Sequence, residues 1–172
     1  MRALSRMYNA QTISRMQYYV QTARDAEPSF RRRLELIERH RPPGRLLDVG
    51  CGPGTFLAQA VQRGWQARGI DINAASVERC TAAGLAAISG SFPHPELAGE
   101  HFDVVVFNDV IEHLTDPRAG LRAARESLAD GGCLFVSTPD IGALVARISG
   151  RRWLHLKPIE HFLRFSGAYR EL

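Results

Sequence analysis

An α/β fold built on a parallel sheet is what this 172-residue sequence predicts. Three observations predict it. Short apolar runs alternate with amphipathic stretches over residues 46–137, and strands separated by helical patterns imply right-handed crossovers with helices on both faces. The runs are continuously apolar, as in Val104-Val105-Val106, which suits strands covered on both sides. Glycines gather where the first run meets the next helix, in Gly50-Cys51-Gly52-Pro53-Gly54.

Taken in order, residues 12–24 read as a helix whose apolar side carries Ile13, Met16, Tyr19 and Val20. Glu27-Pro28 reads as a break, and Ser29 as the cap of a second helix over 30–39, with Phe30, Leu34 and Ile37 on one side. Pro42-Pro43-Gly44 stops it. A buried strand is expected over 46–49, a helix over 55–62, a strand over 66–72, and a helix over 74–83 closed by Gly84. A weak third strand follows over 85–89 and the strongest strand over 102–107. Pro117 suits the first turn of a helix running to 129, and Gly131-Gly132 leads into a fifth strand over 133–137. Beyond it lie a helix over 141–148, a loop over 150–158 carrying Trp153, and a final helix capped by Ser166.

Apolar residues make up 45% and charged residues 23%, which is ordinary for a soluble globular domain, and the length suits one domain rather than two. The net charge of +4 is almost entirely arginine, since Lys157 is the only lysine. Arg31-Arg32-Arg33 and Arg151-Arg152 read as a solvated helix face and a solvated loop, with contact to an acidic ligand as the alternative. Cys51, Cys80 and Cys133 form no C-x-x-C pair, which argues against a disulfide framework or a zinc site and for a reducing cytoplasm. No stretch reaches the ~18 apolar residues of a membrane span. The first 24 residues hold four arginines and no acid, as presequences do. The apolar helical face in that segment favours a helix that a domain buries.

The glycine loop is the most informative segment. A chain that must turn sharply there, and admit a ligand close to its backbone, needs glycine. Gly50, Gly52 and Gly54 make GxGxG, whereas a dinucleotide fingerprint would want glycine at Thr55. Asp48 stands at the strand end, where a carboxylate would repel a pyrophosphate but suit the ammonium of an amino-acid moiety. Asp71 closes the second strand, where an acid commonly accepts from both hydroxyls of a ribose; the alternative is an acid favouring the next helix dipole.

At this point the resemblance is plain. LDVGCGPGTF resembles motif I of class I S-adenosylmethionine-dependent methyltransferases, GIDIN resembles their acidic motif II, FDVVVFNDVIEHLTDP motif IV, and LADGGCLFVSTP the fifth-strand motif. The blocks stand in the family's order and are similar above all to quinone-biosynthesis O-methyltransferases and related small-molecule enzymes. The resemblance implies a Rossmann-like three-layer α/β sandwich with a mainly parallel sheet. About five strands are present, and strands six and seven are missing, so the chain is expected to be truncated. It divides the chain into an N-terminal helical cap (1–41), a cofactor-binding core (42–140) and a partial substrate-side segment (141–172).

The cofactor implied is S-adenosyl-L-methionine. Asp48, Gly50, Cys51, Gly52 and Gly54 would surround its methionine part, Asp71 its ribose, and Ile72, Ser91 and Phe92 its adenine. Many relatives carry an aspartate near Ser91; this chain does not. Asn108 and Asp109 would face the methionyl end, or form only a strand-end turn. His113 follows the fourth strand and is either a general base for a hydroxyl acceptor or a brace for the next helix. Glu112 is placed to orient that ring or to share a divalent ion with it, although the pair alone does not define a metal site. His161, from the segment resembling a substrate lid, is the second candidate for the catalytic base, and Trp153 and Phe165 would line an apolar acceptor pocket or pack in the core. Asn108-Asp109-Val110-Ile111 lacks the Pro-Pro-aromatic pattern of enzymes that methylate nucleic-acid amino groups, and no basic-aromatic interleaving suggests a nucleic-acid partner. The expected acceptor is a small molecule, methylated at oxygen. A nicotinamide-dependent oxidoreductase, disfavoured by Thr55 and Asp48, and a non-catalytic cofactor-binding remnant are the alternatives.

Overall fold

The computed structural model describes residues 27–140, together with 142, 143 and 148. The helix expected over 12–24, Trp153 and its loop, and Ser166 lie outside the described residues, as does most of 141–148.

The elements are α1 (Glu27–His40), β1 (Arg45–Val49), α2 (Thr55–Gln62), β2 (Gln66–Asp71), α3 (Ala74–Ala82), β3 (Ala86–Ser89), β4 (Phe102–Asn108), α4 (Pro117–Glu126) and β5 (Leu128–Ser137). Single 3₁₀ turns occupy Pro95–Leu97 and Ile111–His113. All described strand pairings are parallel, in the order β3-β2-β1-β4-β5. Successive strands are therefore added outward in one direction from β1 to β3 and in the other from β4 to β5, and the crevice outside the carboxyl ends of β1 and β4 is where open α/β sheets take ligands.

Side chains along the central strands alternate between two cores. Leu46, Val104 and Val106 meet Leu34 and Ile37 of α1 and Phe56, Leu57 and Ala60 of α2 on one face. Leu47, Val49, Val105 and Phe107 point to the other, with Ala124 of α4. Two buried faces explain the continuous apolar runs. Full burial of Leu34 and Ile37, at about 1.5–3 kcal/mol each, fastens α1 to the sheet.

Three boundaries differ from expectation by more than one residue. The first described helix already includes Glu27 and Pro28, ahead of Ser29; Pro28 does not break it, since proline's fixed φ is compatible with helix in a first turn. Helix α4, capped by Asp116 accepting from Ala119 N at 3.0 Å, ends at Glu126. Strand β5 consequently begins at Leu128, five residues ahead of Cys133. Phe102 pairs with Leu128 and Val104 with Cys133, so β5 bulges. Gly131 takes φ +69° there, and a Cβ on Gly132 would lie 2.9 Å from Ala129 O.

Candidate active site at the carboxyl edge of the sheet

The site is built where β1, β2 and β4 end. After Val49 the chain turns through Gly50 (φ +72°), Gly52 (φ +51°) and Gly54 (φ +83°) into α2. The three glycines serve different ends. A Cβ on Gly50 would sit 2.4 Å from Val110 Cγ2, and one on Gly54 would sit 2.8 Å from both Cys80 Sγ and Leu85 Cδ1. A Cβ on Gly52 would meet nothing within 4 Å. Gly50 and Gly54 are close-packing positions; Gly52 leaves open space.

Two carboxylates hold this loop from different sides. Asp71 Oδ2 accepts from Gly52 N at 2.8 Å and Oδ1 from Asn73 N at 2.8 Å. Asn73, not Asp71, caps α3, accepting from Ala75 N and Ser76 N. A carboxylate offers about four acceptor positions, so Asp71 keeps capacity for further donors. Asp48, on β1 two residues before the loop, is 1% exposed, and neither of its oxygens has a hydrogen-bond partner. Burial, and then repulsion from Asp71, push its carboxyl well above the usual range; the nearby Asn108 amide acts the other way, although no hydrogen bond of proper geometry joins them, Asn108 Nδ2 being unpartnered as well.

At the end of β4 the decisive group is one that the sequence grouped with a solvated helix face. Arg33 of α1 reaches across the edge: its Nη1 donates to Asn108 Oδ1 and Asp109 Oδ2, both at 3.0 Å, and its Nη2 to Asp109 Oδ2 at 3.1 Å. Arg31 and Arg32 are exposed, as expected of a solvated face, but Arg33 is half-buried. A signal existed. Arg33 falls between Phe30 and Leu34–Ile37, on the face that packs inward, and its guanidinium lies 5.4 Å from the Phe30 ring centre. A charge on the apolar side of a helix needs a partner.

Asp109 has φ +54°, a region that aspartate tolerates better than most residues. Ser137 fixes it there, donating Oγ to Asp109 Oδ1 at 3.0 Å while Ser137 O accepts from Asp109 N at 2.9 Å.

Ile72 is 80% exposed immediately after β2, beside Gly90, whose N donates to Asp71 O at 2.9 Å. Ser91 is exposed. Phe92 is half-buried, its ring edge-on to Phe107 at 6.0 Å, so much of it belongs to the core. Cys51, within the glycine loop, has its side chain buried. His113 is exposed at the end of its 3₁₀ turn, while Glu112 beside it is 1% exposed. Glu112 Oε2 accepts from Thr138 Oγ1 at 3.0 Å, Oε1 has no partner, and burial pushes the carboxyl up. The structure thus places Asp48, the three glycines, Asp71, Ile72, Asn108, Asp109 and His113 along one edge. His161 lies outside the described residues. Among the described residues no group of three or more histidine, cysteine or acidic side chains gathers as a metal site, and no helix is long and apolar enough to cross a membrane.

The sequence matches a methyltransferase domain over residues 16–169. The chain belongs to that family. Curated relatives include the ubiquinone biosynthesis O-methyltransferase of Cereibacter sphaeroides, 37% identical over 100 residues that make up 55% of this chain and 40% of that protein. The enzyme of the same description from Chromobacterium violaceum is 31% identical over 141 residues, 73% of this chain and 60% of its own. The methyltransferase domain described here spans about half the length of these relatives. Among solved structures, a SAM-dependent methyltransferase from Archaeoglobus fulgidus superposes with a TM-score of 0.68 at 21% identity, covering 84% of this chain and 63% of that one. The five-stranded parallel sheet with helices on both faces is this Rossmann-like fold.

Proposed function

We propose that this methyltransferase domain binds S-adenosyl-L-methionine along the carboxyl edge of β1, β2 and β4 and methylates a small molecule at oxygen. The observation that carries the reading is Gly52: a left-handed glycine with open space over its α-carbon, held by Asp71, in the loop that follows the unpartnered carboxylate of Asp48. The residues fit the cofactor. The remaining acceptor positions of Asp71 suit the two ribose hydroxyls, and the exposed Ile72 side chain suits the face of an adenine, with Ser91 and Phe92 beyond it. Asp48 has no exposed oxygen, so its attraction for a cationic amino acid and sulfonium acts across the loop, where low dielectric strengthens it. Arg33 would meet the cofactor carboxylate beside Asn108 and Asp109.

S-adenosylmethionine supplies a methyl group already activated on a positive sulfur. The protein's part is then to hold the acceptor oxygen within ~3–3.5 Å of that carbon, a positioning effect of ~7–11 kcal/mol. His113, exposed at the same edge, takes the acceptor hydroxyl proton. Residues 1–41 serve as the cap, 42–140 as the cofactor-binding core, and 141–172, with His161, Trp153 and Phe165, as the substrate side. A cytoplasmic setting suits this chemistry. Calorimetric titration with S-adenosylhomocysteine tests the reading: saturable binding that Asp71→Ala weakens is expected, whereas binding of NAD(H) with none of S-adenosylhomocysteine would reverse it.

A further inference from the structure

Cys51 and Cys80 lie outside the chemistry proposed above, yet they form a pair. Cys51 sits inside the glycine loop after β1, and Cys80 on the inward side of α3, 29 residues later in the chain. Both thiols point at one atom: Cys80 Sγ lies 3.5 Å and Cys51 Sγ 3.8 Å from Gly52 O. Each sulfur is placed to donate its proton to that oxygen, and Cys80 beside Cys51 helps to push the Cys51 thiol up. Cys80 is 0% and Cys51 6% exposed. Two core cysteines need not meet, and neither needs to approach a glycine-rich turn. Here both do, and the loop is the segment in which a Cβ on Gly52 would meet nothing within 4 Å.

We infer that Cys51 and Cys80 are a dithiol modification site, oxidised by a hydroperoxide to a reversible disulfide that locks the glycine loop to α3. The first step is attack by the Cys80 sulfur on a peroxide oxygen. An S–O bond forms, the O–O bond breaks, and the departing hydroxide leaves as water with the Cys80 proton, giving a sulfenic acid. The Cys51 sulfur then attacks the Cys80 sulfur, the S–S bond forms, the S–O bond breaks, and the second water carries off the Cys51 proton. Two thiols and one hydrogen peroxide become one disulfide and two waters. The direction of attack agrees with the environments. The hydrogen bond from Cys51 holds the Cys80 thiol below its usual range, while that same bond and burial keep Cys51 protonated. Oxidation also removes both S–H donors from Gly52 O.

The three cysteines fall on separate tryptic peptides, Leu46–Arg63, Cys80–Arg118 and Glu126–Arg147, so the test is direct. The full chain is treated with hydrogen peroxide at low protein concentration, alkylated in denaturant, digested and analysed by mass spectrometry. The expected product is a Leu46–Arg63 to Cys80–Arg118 cross-link, two hydrogens lighter than the summed peptides and lost on reduction, with Cys133 still alkylated. Cys80→Ser should abolish the cross-link; Cys51→Ser should instead leave oxygen on the Cys80 peptide. Full alkylation of Cys51 and Cys80 after conditions that oxidise free cysteine completely would overturn the inference, as would irreversible oxygen addition to the Cys51 peptide alone. Neither result depends on whether S-adenosylhomocysteine binds.

Discussion

Alanine at Gly52 and alanine at Gly50 are the same chemical change two residues apart, yet the structure predicts different failures. Both glycines have left-handed φ, at +51° and +72°, so either alanine meets the roughly 1–2 kcal/mol disfavouring an L-residue there. A smaller opposing effect, about 0.4–1 kcal/mol, comes from stiffening the unfolded chain. At Gly52 nothing else is added, since the new methyl has no neighbour within 4 Å. At Gly50 it would stand 2.4 Å from Val110 Cγ2, an overpacking that costs about 1–3 kcal/mol more. For a chain of this length each kcal/mol moves Tm by roughly 2–4 °C. Gly52→Ala should therefore melt within about 8 °C of the parent, and Gly50→Ala distinctly lower. Binding should separate them the other way. The folded Gly52→Ala protein carries its methyl where a ligand must approach, and its affinity for S-adenosylhomocysteine should fall at least tenfold, ~1.4 kcal/mol. Thermal melts and calorimetry on the same samples decide the matter. A Gly52→Ala protein that binds within twofold of the parent would refute a cofactor seated on this backbone.

The other predictions concern charges along the same edge. Arg33→Ala removes an ion pair whose side chains are 22% and 47% exposed, so its stability cost should stay near ~1 kcal/mol and shrink in salt; a salt-independent loss above ~3 kcal/mol would show that Arg33 serves packing instead. Arg33→Lys should keep the charge but not the two-pronged grip on Asp109. Asp48 has a raised carboxyl pKa in the folded state, so the folded chain holds a proton the unfolded chain has lost, and stability should fall as pH rises above the ordinary carboxylate range of ~4. Glu112 contributes with the same sign. Asp48→Asn should flatten that slope in pH-dependent urea melts, and an unaltered slope would clear Asp48 of it. His113→Ala should lower turnover by ~10²–10⁴-fold at a hydroxyl acceptor with cofactor affinity unchanged; equal turnover would leave the histidine only as a brace.

What the sequence disclosed and what it hid follow from the range of the interactions involved. Strand and helix positions were legible because burial on two faces, proline at Pro117 and glycine at Gly84 act within a few residues. The glycine loop was legible because φ above zero is a local demand. Strand β5 was misread by five residues because its bulge depends on where β4 lies across the sheet. Arg33 was misread for the same reason: 76 residues separate it from Asp109, and three adjacent arginines look alike until the helix is fastened down. Glu112 and His113, neighbours in sequence, part company in space, one buried against Thr138 and the other exposed, which no reading of adjacent letters distinguishes.

The arrangement of Asp48 and Asp71 also bears on why the loop is built as it is. A buried carboxylate without donors destabilises a fold, and an apolar residue of similar size would often do better. Asp71 adds to the cost by repelling Asp48, and its own two backbone donors, Gly52 N and Asn73 N, relieve only Asp71. Such a pair makes the empty loop less favourable than sequence chemistry requires, and a positive ligand over Gly52 would offset both effects at once. Binding should then favour the ionised form of Asp48, so affinity for a cationic S-adenosyl ligand should rise with pH over the same range in which the unliganded fold weakens. Opposite slopes for stability and affinity, both abolished by Asp48→Asn, would be difficult to obtain from a carboxylate that merely fills space; parallel slopes would mean that Asp48 does not sense the ligand.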